Sequence, residues 1–162
     1  MKVSDVMMSD PAFCVPESNI GEAVEMLWNH NCGILPVVNA AGKVIGVITD
    51  RDVAIAMGTR GRRAGELRVG DVVPERVYTC GANEDIRAAL ATMARQRLRR
   101  LPVVNNQGRL EGLLSMDDII IHFEKLAGED QISSEEIVDT LQKIYGPKLP
   151  VAIRKRVLAT AG

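Results

Sequence analysis

Residues 46–52 read GVITDRD and residues 112–118 read GLLSMDD. Each is a short apolar run that ends in a hydroxyl, passes two residues and reaches a carboxylate. The two lie 66 residues apart, and the offset is not confined to them. Val3, Asp5, Val6, Cys14, Ile20, Ala23, Leu35, Pro36, Val37, Val38, Asn39, Gly42, Gly46, Asp52 and Ile55 all recur identically at that spacing, with no gap. Residues 1–62 and 67–128 are therefore two copies of one unit, and the repeat governs every later assignment.

Around the quoted stretch the periodicity changes in a fixed order. SNIGEAVEMLWNHN (18–31) spaces Ile20, Ala23, Val24, Leu27 and Trp28 as a helix, with Ser18 or Asn19 placed to cap it. ILPVVN, the turn AAGK and VIGVIT then predict a hairpin. DRDVAIAMG resumes helical spacing and stops at Gly58, a residue suited to a helix end. The second copy repeats this through EDIRAALATMARQR, LPVVN, NQGR, LEGLLS and MDDIIIHFEKL. The expected organisation is a first domain at 1–62, a second at 63–128, an exposed linker at about 58–68 and a helical tail at 129–162. In that tail Ser133 or Ser134 caps a helix, Gly146 and Pro147 break it, and a shorter basic helix runs through Arg154, Lys155 and Arg156. Ile137, Leu141 and Ile144 are spaced to pack on the body or on a second subunit.

A small sheet with two helices cannot cover its own apolar face, so the two copies are expected to pack together as one α/β (α+β) chain. At 162 residues and 46% hydrophobic the chain can bury a proper core. Twenty basic against 21 acidic residues leave no electrostatic footprint for nucleic acid or an acidic membrane, and 3% aromatics leave little for base stacking. The start, MKVSDVMMSDP, does not read as a signal peptide, and no window approaches the roughly 20 apolar residues of a membrane span. The expected location is the cytoplasm. Cys14, Cys32 and Cys80 show no metal-ligand or disulfide spacing, so no metal is expected; Cys14 and Cys80 read as buried equivalents. His30 and His122 have no partner for catalysis and read as helix-surface residues, while Met7, Met8, Met26 and Met93 read as core or pocket lining.

A strand that delivers Thr49 or Ser115 directly into a helix sets that hydroxyl at the helix N-terminus, where unpaired amides favour a phosphate. Three residues on, Asp52 and Asp118 can accept hydrogen bonds from the two hydroxyls of a ribose. Hydroxyl plus carboxylate at this spacing suits a ribose phosphate. The same spacing is also a variant of the capping box, which needs no ligand, and duplication leaves both readings open.

VSDVM and VGDVV at the starts, LPVVN with a following glycine in both copies, and GVITDRD and GLLSMDD at the ends resemble a tandem pair of cystathionine β-synthase (CBS) domains, the Bateman module. The resemblance spans residues 1 to about 125. It implies adenosyl ligands in clefts between the two domains, a flat disc-like homodimer, Asp118 and Asp52 on ribose, and Ser115, Thr49, Arg99 and Arg100 on phosphate. The adenine surroundings it implies are Cys32, Gly33, Ile34, Pro36, Ile48, Leu98, Pro102 and Leu114. Arg99 and Arg100 precede the second LPVV, whereas NHNCGI precedes the first, so the Asp118 cleft is expected to be the stronger site. A basic helix end answering the dipole is the other reading of RQRLRR.

The expected function is a non-catalytic sensor of AMP, ADP or ATP, with NAD and S-adenosylmethionine ranked lower, acting on a separate protein effector. No P-loop, dinucleotide fingerprint or paired nucleophile and base supports an enzyme. The alternative is a scaffold with empty clefts, working through its C-terminal helices.

Overall fold

The computed structural model describes residues 1–74, 76–123 and 132–147. In chain order the elements are β1 (Met8–Ser9), α1 (Ile20–Asn29), β2 (Ile34–Val38), β3 (Val44–Thr49), α2 (Asp50–Thr59), β4 (Cys80–Gly81), α3 (Ile86–Gln96), β5 (Arg100–Val104), β6 (Leu110–Ser115), α4 (Met116–Ile121) and α5 (Ser134–Tyr145). Short 3-10 turns lie at Val3–Asp5, Ala64–Glu66 and Val69–Asp71. Asn19 caps α1 in a reciprocal box with Glu22, and Ser133 caps α5 in the same way with Glu136. Each hairpin turns on a glycine in the left-handed region, Gly42 at φ +74° and Gly108 at φ +76°. Asn39 and Asn105 hold these turns, each side-chain oxygen accepting two backbone amides at 2.9–3.0 Å.

The sequence copies and the packed cores do not coincide, because the lead-in segments are exchanged. The Val3 amide donates to Glu84 O, the Ser4 amide to Ala82 O and the Ile86 amide to Met1 O. β1 then pairs antiparallel with β6, giving a four-stranded sheet in the order β1-β6-β5-β4. Val3 and Val6 thereby join the second core with Ile86, Leu101 and Leu114. Reciprocally the Ile20 amide donates to Leu67 O and the Val69 amide to Ser18 O, and Leu67 and Val69 enter the first core with Ile20, Leu35 and Ile48. The expectation of an exposed linker to residue 68 is thus corrected. Residues 59–63 are exposed, but Leu67 is 1% exposed, worth about 1.5–3 kcal/mol of burial.

Gly46 and Gly112 mark the crossings. A Cβ on Gly112 would lie 2.8 Å from Met8 O and 2.7 Å from Met7 Sδ, and one on Gly46 would collide with Val73 Cγ1. The glycine that opens each quoted motif leaves room for the crossing segment, for the Met8 backbone at Gly112 and for the Val73 side chain at Gly46. The two hairpin tips also join symmetrically, the Val44 amide on Gly108 O (3.0 Å) and the Leu110 amide on Gly42 O (3.2 Å).

α5 packs along α3, and Ile137 and Ile144 complete the second core. Two further expectations change. α2 runs through Gly58 to Thr59, since the Arg60 amide still reaches Ala56 O, and the left-handed glycine is Gly61. Met8 is exposed, because β1 lies at the sheet edge. The basic segment through Arg154, Lys155 and Arg156 lies outside the described residues, as does the end of MDDIIIHFEKL beyond residue 123. Among the described residues no helix is long and apolar enough to cross a membrane.

Candidate functional site

β3 runs directly into α2 and β6 into α4, so Thr49 and Ser115 become the N-cap residues of those helices. The Asp52 amide donates to Thr49 Oγ1 at 3.2 Å, and the Asp118 amide to Ser115 Oγ at 3.0 Å. In return each carboxylate uses one oxygen: Asp52 Oδ2 accepts the Thr49 amide (3.0 Å) and hydroxyl (2.6 Å), and Asp118 Oδ2 accepts the Ser115 amide (2.8 Å) and hydroxyl (2.6 Å). Capping is therefore present in both copies. The second oxygen, Oδ1, accepts no hydrogen bond from the described residues in either copy. One carboxylate can cap its helix with Oδ2 and still offer Oδ1 to a ligand hydroxyl.

The surroundings of the two caps differ in charge. In the first copy Asp50 follows the hydroxyl; its Oδ1 takes the Arg51 amide at 2.7 Å, and its Oδ2 lies where a Cβ on Gly33 would be 3.3 Å away. The Asp50 amide itself reaches Gly33 O at 3.4 Å. A carboxylate thus occupies the start of α2 and opposes an incoming anion. In the second copy Met116 holds that position, the Met116 amide bonds Arg99 O at 2.9 Å, and the Asp117 amide has no acceptor among the described residues. Arg100 Nη2 pairs with Asp117 Oδ2 at 3.0 Å. Arg99 turns to α5, its Nη1 donating to the Tyr145 hydroxyl at 3.3 Å with the guanidinium 6.0 Å from the ring centroid.

Cys32 and Gly33 line an open hollow of about 500 Å³ with Asp50, Val53 and the α1 residues Val24, Leu27, Trp28 and Asn31. No hydrogen bond joins Cys32 or Gly33 to Ser115 or Asp118. Leu98 is half-buried; Ile34, Pro36 and Pro102 are buried, and Ile48 and Leu114 are sealed in the two cores with no accessible surface. Sequence reasoning missed Asp50 and the α1 face of the hollow. The signal was available in the repeat positions that fail to match, Asp50 against Met116 and Trp28 against Ala94.

Burial pushes the Cys14 thiol up to about 11, and burial followed by the Glu84 charge pushes Cys80 up to about 12. His30 is exposed beyond α1, and His122, half-buried, places Nδ1 2.8 Å from Asp118 O. Among the described residues no group of three histidines, cysteines or acids is arranged to hold a metal ion.

The family model of the CBS domain matches residues 3–58 and 69–125, more than half of the chain. The chain is 32% identical to the CBS domain-containing protein YhcV of Bacillus subtilis over 74% of its own length and 84% of that protein. It is also 32% identical to the methylated protein MJ0556 of Methanocaldococcus jannaschii, over 95% of its own length and 87% of that protein. The CBS domain pair of protein MJ0100, solved in complex with 5'-methylthioadenosine and S-adenosyl-L-methionine, superposes with a TM-score of 0.67 at 26% identity, covering 77% of this chain and 97% of that one. With two matched copies, exchanged lead-in segments and a hydroxyl–carboxylate cap closing each hairpin, the chain belongs to the CBS domain family as a tandem CBS-domain protein.

Proposed function

We propose that the protein is a non-catalytic regulatory module that binds a phosphorylated adenosine compound, of the AMP, ADP or ATP type, at the cap sites of the two copies. The observation that carries this reading is the pair of capping carboxylates, each with one oxygen that accepts no hydrogen bond from the described residues beside a helix start. Asp118 and Asp52 hold ribose hydroxyls through Oδ1. Ser115 and Thr49 face the phosphate side, with Arg99 and Arg100 adding positive charge in the second copy alone. Cys32, Gly33, Ile34, Pro36, Leu98 and Pro102 lie along the adenine side, backed by Ile48 and Leu114. The Ser115–Asp118 site is the stronger one, since Arg99 and Arg100 stand beside it where the first copy has Gly33 and Ile34.

The adenosyl complexes of the MJ0100 domain pair support the ligand class. Its S-adenosyl-L-methionine also keeps that compound among those to be tested, although the arginines of the second copy favour a phosphate. Ligand acts by favouring one packing of the two copies, which requires unequal affinity for two arrangements. The module works in the cytoplasm as a homodimer that passes its state to a separate effector protein.

Calorimetric titration with AMP, ADP, ATP, NAD and S-adenosylmethionine, on wild type and on Asp118→Ala and Asp52→Ala, tests the reading. A hydrogen bond to a charged group contributes about 1.5–3 kcal/mol, so Asp118→Ala is expected to weaken binding by roughly 10- to 150-fold. Asp52→Ala is expected to weaken it less. If nothing binds, or both variants bind as wild type does, the two motifs are helix caps only and the scaffold reading replaces this one.

A further inference from the structure

The two arginines that set the second copy apart have different partners. β5 and β6 pair so that Arg100 stands directly across from Ser115, and its Nη2 reaches Asp117 Oδ2 at 3.0 Å. Arg100 is therefore already at the cap. Arg99 precedes β5 in an exposed bend, where its side chain is not bound to the alternation of the strand. Its carbonyl accepts the Met116 amide at 2.9 Å, which sets its backbone against the first residue of α4. Its guanidinium goes to the last residue of α5 instead, with Nη1 donating to the Tyr145 hydroxyl at 3.3 Å and the group 6.0 Å from the ring centroid.

The contact at Tyr145 is part of a built junction. Arg97 ends α3 in the left-handed region, at φ +57°, and its Nη1 donates to Gly146 O at 3.1 Å. Ile144 is buried in the second core with Met93, Met116 and Ile119. The last turn of α5 is thereby fixed, and Tyr145, 63% exposed, is presented at its end. Sixty-six residues earlier, Arg97 and Arg99 become Asn31 and Gly33, neither of which carries a charge. The junction belongs to the second copy alone.

One guanidinium thus has two claimants. A phosphate at the Ser115 cap would attract Arg99 through a charge-assisted hydrogen bond, whereas Tyr145 offers a phenol hydroxyl and a ring face. Without ligand the tyrosine holds it. A ligand that uses Arg99 must first take it from α5, and its apparent affinity falls by the fraction of molecules in which the arginine is free.

We infer that Tyr145 gates the Ser115–Asp118 site: it withholds Arg99 from the ligand phosphate, and phosphate binding in turn releases the last turn of α5. The inference rests on the reading of that site as one for a phosphorylated adenosine compound, and it makes α5 the element that changes when the phosphate arrives. The coupling is reciprocal. Whatever factor the α5 contact takes from phosphate affinity, bound phosphate takes from the α5 contact.

Calorimetric titration with AMP and with adenosine tests this on wild type, Tyr145→Phe, Tyr145→Ala, Arg99→Gln and the double variant Arg99→Gln/Tyr145→Ala. Tyr145 is exposed, so its substitution leaves the core in place. Tyr145→Ala is expected to bind AMP roughly 2- to 10-fold more tightly than wild type, with a smaller gain for Tyr145→Phe. Adenosine, which has no phosphate, is expected to bind all of these chains alike. The gain for AMP disappears in the double variant. Hydrogen exchange of the amides at 142–146 is expected to speed up on adding AMP and not on adding adenosine. Unchanged AMP affinity in Tyr145→Ala, an equal gain for adenosine, or a gain that survives Arg99→Gln would overturn the inference and leave the reading of the site standing. If AMP binds neither wild type nor Tyr145→Ala, the reading of the site fails and the gate falls with it.

Discussion

The first and second copies build the same cap and the same turn, down to a 2.6 Å hydroxyl–carboxylate hydrogen bond in each, yet they stand in different company. The second carries α5 on its helical face and three arginines beside it; the first carries an open hollow, an exposed tryptophan and Asp50. Residues kept between the copies are those the backbone path demands: the turn glycines, the crossing glycines and the alternating core of the hairpins. Among residues that changed, some exchange one apolar core side chain for another, as Ile48 does with Leu114, while others differ in their cover, as Val24 (42% exposed) does from Leu90 (4%) under α5. A duplicated unit thus keeps its geometry and varies its surroundings, so each copy serves as the control for the other.

The largest expected difference lies in the helical faces. Leu90→Ala empties space under α5 and is expected to destabilise the protein by about 2–5 kcal/mol, whereas its counterpart Val24→Ala, on the open face, changes stability by about 0.5 kcal/mol or less. Urea unfolding of both variants measures this; equal losses would mean that the first copy's face is covered as well as the second's. Next comes the exchange of lead-in segments. Gly112→Ala pushes a methyl against Met8 O, a backbone atom, and is expected to cost about 1–3 kcal/mol in the same assay. A neutral Gly112→Ala would mean that β1 does not sit over β6 in solution.

The smallest effect is the acid sensitivity of the α5 clamp. The Ser133 amide, and after it the Arg87 side chain, hold the Glu136 carboxyl below its ordinary value of 4.5. A lowered folded-state value means that the contribution is present above 4.5 and lost as pH falls through the lower folded value. The Arg87–Glu136 pair, 3.0 Å and half exposed, contributes about 0–1 kcal/mol. The melting temperature of wild type is expected to approach that of Glu136→Gln as pH drops below 4.5, and a constant gap between the two would remove Glu136 from the clamp.

Much of the fold was legible because it is written locally. The 66-residue offset, the asparagine and glycine of each turn, Asn19 and Ser133 as caps, and the hydroxyl and carboxylate ending each hairpin are all short-range chemistry. Gly58 misled for the same reason: a glycine near a helix end is a stop signal only when the chain there turns left-handed, and it does so at Gly61. Leu67 misled because its neighbours Arg62, Arg63 and Arg68 read as exposed linker, while its own side chain belongs to a core assembled mainly from residues 14 or more positions away. At the candidate site, Thr49, Asp52, Ser115 and Asp118 could be named from spacing. The direction of Arg99 toward Tyr145 could not, since it depends on where α5 lies.

By itself the sequence determined the repeat, the order of strand and helix within each copy, and the two caps, because periodicity and capping act over a few residues. Only the tertiary structure decided which copy each lead-in segment completes, why Gly46 and Gly112 have no side chain, and which helical face α5 covers. Those outcomes depend on contacts between segments tens of residues apart, where apolar area and steric fit choose among partners that look equivalent in a repeated chain.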